Sequence, residues 1–451
     1  DATQWQETTT NGAQLSFKEV ARTAAHVELY DGSRKLWLRL YAGHADWRTG
    51  AQWKRLRAGS WIAATGLPQE QSADHRVRLI YFVPSDHDPV ADYEKRIRVL
   101  MHFVSEIYRQ DFEARHINSA GLRFESVAGK SVVHLVRGAR PAAWYNGAPH
   151  YQREVQHQRN RVFSEIPSAI GLPGRNLIVV FAETYDSGPN RVEWPGGIAL
   201  GGRQSADGGT AIFSAWILRG EFTAATIDAQ RKLLFDTTPV TGRTALGHGK
   251  PDSPRFEFIE DGFGAVAHEI GHALGLPHDK RNDDIYIMGN GFRNLRRNFD
   301  ARVDAARRPR FSDDNARLLY SSRFLAPDIT AGDRIPPRMN LRWAAAPKAG
   351  ATTLLLSVTA SDNEGLRAIL FFSATQQSVV GGRGLSGRKE EFEQQISVQA
   401  LRPGPLRLRA LLTDVGGNRS EMELDAVVPE QAPRETACKT HFAQPRGCVS
   451  R

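Results

Sequence analysis

The window from His268 to His278 dictates a helix, a sharp turn and a convergence of side chains, and few folds accommodate all three. It reads His268-Glu269-Ile270-Gly271-His272-Ala273-Leu274-Gly275-Leu276-Pro277-His278. His268 and His272 are one helical turn apart, so their rings share a face. On a wheel of about 100° per residue, Val266, Ala267, Ile270 and Leu274 form an apolar stripe, and both histidines point away from it. Gly271 inside this helix costs ~1 kcal/mol relative to alanine and is tolerated. Gly275 stands where a helix ends on a left-handed residue, and Pro277 forbids continuation. The turn this imposes can return His278 to the other two rings. With 14 His in 451 residues, H-E-x-x-H alone arises by chance in about two of every hundred such chains. Adding Gly275 and His278 at fixed spacing lowers that to the order of one in ten thousand.

Three neutral imidazoles leave the fourth tetrahedral position of a zinc ion to water, the arrangement of a catalytic rather than a structural site. Zinc lowers the pKa of such a water to around 7, and Glu269, next to the first ligand, can take its proton. One catalytic Zn2+ is therefore the expected cofactor.

The window resembles the long zinc motif of the metzincin clan of metallopeptidases. Downstream, with Met288 ten residues after His278, Tyr286-Ile287-Met288-Gly289-Asn290 resembles the clan's Met-turn. The resemblance implies peptide-bond hydrolysis, with His268, His272 and His278 as zinc ligands and Glu269 as general base and then proton donor. It makes Met288 a structural floor beneath the histidines. Asp279 follows the third histidine as in the adamalysin-reprolysin branch, where the acid makes a structural contact; on residues alone it reads equally as a surface carboxylate. Two departures stand out. Astacin-like and serralysin-like members carry tyrosine where this chain has Asn290, and the reprolysins are rich in disulfides whereas this region has no cysteine. The run Ile287 to Arg293 resembles a group of microbial and fungal zinc metallopeptidases.

At 451 residues the chain exceeds one typical domain. No apolar run approaches a membrane span, and no zinc-finger or RNP-like string suggests a nucleic-acid partner. The chain begins at Asp1 without an apolar signal region, which fits either a chain trimmed at its start or a mature protein whose targeting segment is gone. Cys438 and Cys448 are the two cysteines. They read as a disulfide closing a small loop in the polar tail 431–451, or as two free thiols there. The net charge is +9, and its densest stretch runs from Arg293 to Arg310. That stretch can steer acidic substrates, or simply be a solvated face.

Along the chain, residues 1–88 read as a small β domain of alternating strands whose aromatics serve a core or a glycan. Residues 89–328 read as the zinc peptidase domain: a helix over Tyr93–Arg115, strands at 122–127, 131–136, 176–182, 198–202 and 210–218, a polar helix near 150–170, and the motif helix at 262–274. This order is the one the resemblance implies for the upper half of a metzincin domain. Ile198, Ala199 and Leu200 mark a glycine-flanked edge strand with which an extended substrate can pair, or a merely structural strand. Residues 219–257 read as an irregular insertion, with His248 in a polar loop. Ser312 reads as the cap of a helix running to about Arg323. Residues 329–430, with five or more strands and two Asp…Gly turns, resemble immunoglobulin-like modules of secreted bacterial proteins and read as a spacer or binding module. The expected fold is thus multidomain: an α+β metzincin-like catalytic domain between a small β domain and an immunoglobulin-like β-sandwich. The expected function is a secreted zinc-dependent endopeptidase acting on protein or glycoprotein substrates, with glycan contact available to the β modules. The alternative is an adhesin or glycan-binding protein carrying a zinc domain of little activity.

Overall fold

The structure is a computed structural model, and it describes the chain outside residues 1–3, 9–13, 24–25, 42–43, 59–74, 118, 147–150, 168–169, 171–174, 185, 189–190, 194–198, 206–207, 241–251, 327–328, 330–331, 345–350, 399–400 and 431–451. Ile198, His248, Cys438 and Cys448 therefore lie outside the described residues. The chain divides into two compact units, Asp1–Ala73 and Asp74–Arg451.

In the first unit, β1 (Gln4–Thr8), β2 (Gln14–Arg22), β3 (His26–Asp31), β4 (Leu36–Tyr41), β5 (His44–Arg48) and β6 (Lys54–Ala58) form one antiparallel sheet in chain order. Period-two alternation sends Val27 and Leu29 to one face, where they join Phe17 and Leu38 in a small core flanked by Trp47. Trp37 and Trp53 have arginine partners instead. Arg39 lies 4.1 Å over the Trp53 ring, and Arg48 lies 5.0 Å over Trp37 and 4.7 Å over Trp53. These are cation–π contacts between side chains that the strand pairing brings together.

The second unit begins before the boundary expected near residue 88. Its first strand is β7 (Val77–Val83), buried at every position but one. Such a strand needs cover on both faces, which a parallel sheet with helices provides and a small meander does not. After it come α1 (Tyr93–Ala114), the hairpin β8 (Ser126–Val127) and β9 (Lys130–Ser131), β10 (Val133–Arg137), α2 (Ala142–Asn146) and α3 (Tyr151–Glu165). Then follow β11 (Leu177–Ala182), the hairpin β12 (Asp186–Gly188) and β13 (Arg191–Glu193), β14 (Ala199–Gln204) and β15 (Gly209–Ser214). The helices α4 (Ile227–Leu233), α5 (Arg255–Ala273) and α6 (Asp313–Leu319) complete this part. Five strands assemble in the order β10-β7-β11-β15-β14, parallel except for the edge strand β14. The motif helix α5 runs beside α1, where the Tyr108 hydroxyl donates to Ala267 O at 2.8 Å.

Three sequence expectations need correction in this part. The run 122–127 forms only the two-residue strand β8, because Val77 already pairs with Phe124 in an isolated bridge. The strand expected over 210–218 stops at Ser214, whose hydroxyl accepts from Trp216 N and opens a 3-10 turn. The segment 219–257 is not irregular throughout: it contains α4, capped by Thr226, and α5 starts at Arg255.

The remaining strands are β16 (Arg338–Trp343), β17 (Thr353–Ser361), β18 (Leu366–Ser373), β19 (Ser378–Gly384), β20 (Lys389–Ser397), β21 (Gly404–Asp414) and β22 (Arg419–Val428). They form two antiparallel sheets, β16-β17-β20 and β19-β18-β21-β22, and both sheets supply residues to one core around Leu356, Val358, Phe371 and Leu408. This pair of sheets is not a free-standing spacer. Successive residues of β18 point to opposite faces: Ile369 and Phe371 enter the sandwich core, whereas Leu370 and Phe372 join the core built on the five-stranded sheet. Among the described residues, no helix is long and apolar enough to cross a membrane.

Candidate metal centre and active site

Helix α5 delivers the motif, but it is not the amphipathic helix its wheel suggests. Between Phe258 and Leu274 every residue is buried except Glu269 and His272, which are half-buried. The face opposite the apolar stripe is covered as well, because glycine lets neighbours reach the helix there. A Cβ on Gly271 would stand 2.5 Å from the Met288 sulfur. The apparent cost of glycine in a helix thus has a packing reason. The helix ends in a Schellman arrangement: Leu276 N–H donates to Gly271 O, Gly275 N–H donates to His272 O, and Gly275 sits at φ +85°.

The three histidines converge. A ring nitrogen of each lies within 4.8 Å of the others, and His272 Nε2 is 3.1 Å from His278 Nε2. His268 Nδ1 meets Ile287 O at 2.7 Å, and His272 Nδ1 meets Leu276 O at 2.8 Å. Each of those nitrogens faces a carbonyl, so it carries the proton and the lone pair is placed on Nε2. Burial, reinforced by His272, holds His268 well below the usual imidazole range, and the same two causes bring His278 down to about 4. Neutral rings with oriented Nε2 lone pairs are what a zinc ion requires, and a second shell of backbone carbonyls fixes their orientation. The residues present fit the ion.

Met288 is fully buried beneath the helix, in a turn whose Ile287 carbonyl accepts from His268 and whose Met288 carbonyl accepts from Asp279 N at 3.0 Å. Asn290 binds Asp283. Asp279 is buried and grips Arg281 through both oxygens, at 2.9 and 2.6 Å; Arg281 in turn reaches Asp314 on α6 at 2.8 Å. The surface-carboxylate reading of Asp279 does not apply.

Glu269 has a partner the sequence reading did not name. Gly202 N–H, on the edge strand β14, donates to Glu269 Oε2 at 2.7 Å. The strand carries an irregularity between Ala199 and Gly202, with Gly201 at φ +90°. A Cβ on Gly202 would stand 1.7 Å from Glu269 O, so only glycine lets the strand lie this close to the helix. Arg159 on α3, largely buried, donates to Gly201 O at 2.7 Å and holds the irregularity from behind. Burial, with Arg203 adding, lowers the Arg159 guanidinium to about 10, while Glu269 opposes that shift. Of the three edge-strand residues named from sequence, Leu200 is buried in the core and Ala199 packs against it. The polar contact comes instead from the doublet Gly201-Gly202, a signal already visible in the sequence.

The β-sandwich also touches the site. Arg419 on β22 donates to Gln204 Oε1 at 2.6 Å, to Gly275 O at 3.3 Å and to Leu274 O at 3.2 Å, capping the last carbonyls of the motif helix. Val379 N–H on β19 donates to His278 O at 3.1 Å. The arginine-rich segment after the Met288 turn is largely engaged within the molecule. Arg293 pairs with the fully buried Asp261 at 2.6 Å, and Arg296 lies 3.6 Å over Phe256.

Residues 177–320, which include the three histidines, Glu269, Gly202 and Met288, match the model of a family described as "Putative peptidase family". No curated protein matches the sequence. Among solved structures, wild-type OgpA from Akkermansia muciniphila is similar, with 15% identity, a TM-score of 0.50, and coverage of 78% of this chain and 93% of that one. Catalytically inactive OgpA in complex with an O-glycopeptide substrate, glycodrosocin, gives 14% identity and a TM-score of 0.49, covering 79% of this chain and 95% of that one. The chain therefore carries a peptidase-family segment within a multidomain α+β fold like that of OgpA.

Proposed function

We propose that this protein is a zinc-dependent endopeptidase of the metzincin type, exported from its cell, that hydrolyses peptide bonds of protein or glycoprotein substrates. The observation that carries the reading is the pair of ring-to-carbonyl bonds that aims the Nε2 atoms of His268 and His272 at a point shared with His278, beside Glu269. Zinc, when bound by the three histidines, supplies a Lewis acid. Glu269 does the proton work. Its Oε2 is held by Gly202 N–H, which leaves Oε1 to take a proton from the attacking water and pass it to the departing amine. The β14 edge offers main-chain groups to an extended substrate beside that carboxylate. O-glycopeptides are the first substrates to try, because OgpA shares the fold and is described with one bound. We read the seven-stranded sandwich as immunoglobulin-like, built on to brace the site.

The test compares wild type with Glu269→Ala on protein and O-glycopeptide substrates, with metal content measured in both. Wild type should lose cleavage on chelation and regain it with zinc. Glu269→Ala should keep its metal and cleave at least ~100-fold more slowly. Equal cleavage by Glu269→Ala refutes the assigned role. Glycan binding without proteolysis by the intact metal-loaded chain would favour an adhesin instead.

A further inference from the structure

A second group of metal-type ligands lies away from the histidines, at one end of the β-sandwich. Asp333 precedes β16, Asp362 follows β17 and Asp414 ends β21. A carboxylate oxygen from each lies within 4.8 Å of the others. Asp333 is 5% exposed and Asp414 is fully buried. One oxygen of Asp333 and one of Asp362 are used locally, and both oxygens of Asp414 are. Asp333 Oδ1 accepts from Ile335 N and Asn363 Nδ2, and Asp362 Oδ1 accepts from Glu364 N and Gly365 N. Asp414 accepts from Asn418 N and Asn418 Nδ2.

The other oxygens are the informative ones. Asp333 Oδ2 and Asp362 Oδ2 are both buried and accept no hydrogen bond among the described residues. A buried carboxylate oxygen without a donor is costly, and two of them beside a third carboxylate compound the cost through like-charge repulsion. Arg323 donates to Gly416 O, Asp333 O and Asn418 Oδ1 and meets His75 Nε2 at 3.3 Å. Gly416 lies so close that a Cβ there would stand 2.6 Å from Asp333 Cβ and 2.7 Å from Asp333 Oδ2.

We propose that Asp333, Asp362 and Asp414 bind a calcium ion, distinct from the histidine centre. Hard carboxylate oxygens suit a hard divalent cation. Three protein carboxylates favour calcium over magnesium, which keeps most of its waters and takes one or two carboxylates. The ion ties the segment arriving from the catalytic part, through Asp333, to two turns of the sandwich. The second of these turns leads directly into Arg419, the cap of the motif helix.

The experiment titrates the full chain, in calcium-free buffer, with CaCl2 and separately with MgCl2, reading heat by calorimetry and the melting temperature. One Ca2+ per chain should bind with Kd on the order of 10⁻⁴ M, raising the melting temperature, and Mg2+ should bind more weakly. Asp333→Asn and Asp362→Asn keep the oxygens that accept backbone N–H bonds and should each lower calcium affinity by roughly tenfold or more. No response of wild type to millimolar Ca2+ overturns the proposal without recourse to any variant. Unchanged affinity in either variant, or a magnesium response equal to that of calcium, also overturns it.

Discussion

Gly202→Ala tests the close approach on which the placement of Glu269 depends. The new Cβ would lie 1.7 Å from Glu269 O, 2.7 Å from its carbonyl carbon and 2.9 Å from Ala273 N. All three are helix backbone atoms, which cannot swing aside as a side chain can. An ordinary C···O contact is about 3.3 Å, so strand and helix must part by roughly 1.6 Å. The Gly202–Glu269 hydrogen bond, now 2.7 Å, would then exceed about 4 Å and be lost. Overpacking costs ~1–3 kcal/mol, and losing a hydrogen bond to a charged group costs ~1.5–3 kcal/mol. The sum, roughly 3–6 kcal/mol, is a large share of a typical total of about 5–15 kcal/mol. Urea unfolding should show a lower midpoint with an unchanged slope, and peptide hydrolysis should fall because Glu269 loses its anchor. Gly50→Ala is the control: its Cβ meets nothing within 4 Å and should shift stability by less than about 0.5 kcal/mol. A Gly202→Ala protein with the wild-type midpoint and rate would refute the reasoning.

Gly271→Ala should destabilise wild type by ~1–3 kcal/mol through the Met288 sulfur. In a Met288→Ala background, itself ~2–5 kcal/mol less stable, the same change should be neutral or stabilising; a double-mutant cycle by urea unfolding reads the difference. Arg419→Ala should cost ~2–4 kcal/mol by uncapping Leu274 O and Gly275 O. Arg419→Lys should restore only part of that in the same assay. Burial raises Glu260 from 4.5 to about 7. The folded state therefore holds a proton that the unfolded state releases, and stability falls as pH rises from about 4.5 to about 7. Glu260→Gln keeps the acceptor for Arg296 N, should flatten that fall, and should gain up to ~3 kcal/mol at pH 8, as read from denaturation midpoints against pH.

The local rules were legible where one segment decides its own conformation. The helix spacing of His268 and His272, the turn at Gly275, the Ser312 cap and the alternation of β3 all follow from residues adjacent in sequence. What stayed hidden depends on partners far along the chain. Val77–Val83 reads as β from either side of the domain boundary, and only its cover on both faces assigns it to the five-stranded sheet. Gly202 reads as one glycine of a doublet until α5 lies against it. Arg419 reads as one arginine among many, since its three acceptors lie more than a hundred residues upstream. The pair of half-buried Arg293 with buried Asp261 likewise turns one arginine of a basic run into an internal tie.

These distant partners explain why the sandwich and the histidine site cannot be treated as separate modules. A helix that ends at its histidine-bearing turn leaves its last carbonyls without intrahelical donors at the place where the proposed metal site needs its geometry held. Leu276 and Gly275 supply two of the closing bonds, and Arg419 of the sandwich supplies donors to Leu274 O and Gly275 O. The third histidine lies beyond that turn, and its carbonyl is tied to Val379 of β19 rather than to the helix. Leu370, Phe372 and Val379 then bury their side chains in the same core as Met288 and Ile270. Burying such a side chain is worth about 1.5–3 kcal/mol, so these three alone contribute energy comparable to the lower end of a domain's total stability. The position of His278 relative to His268 is thus set from both sides, by α5 beneath it and by β19 against it.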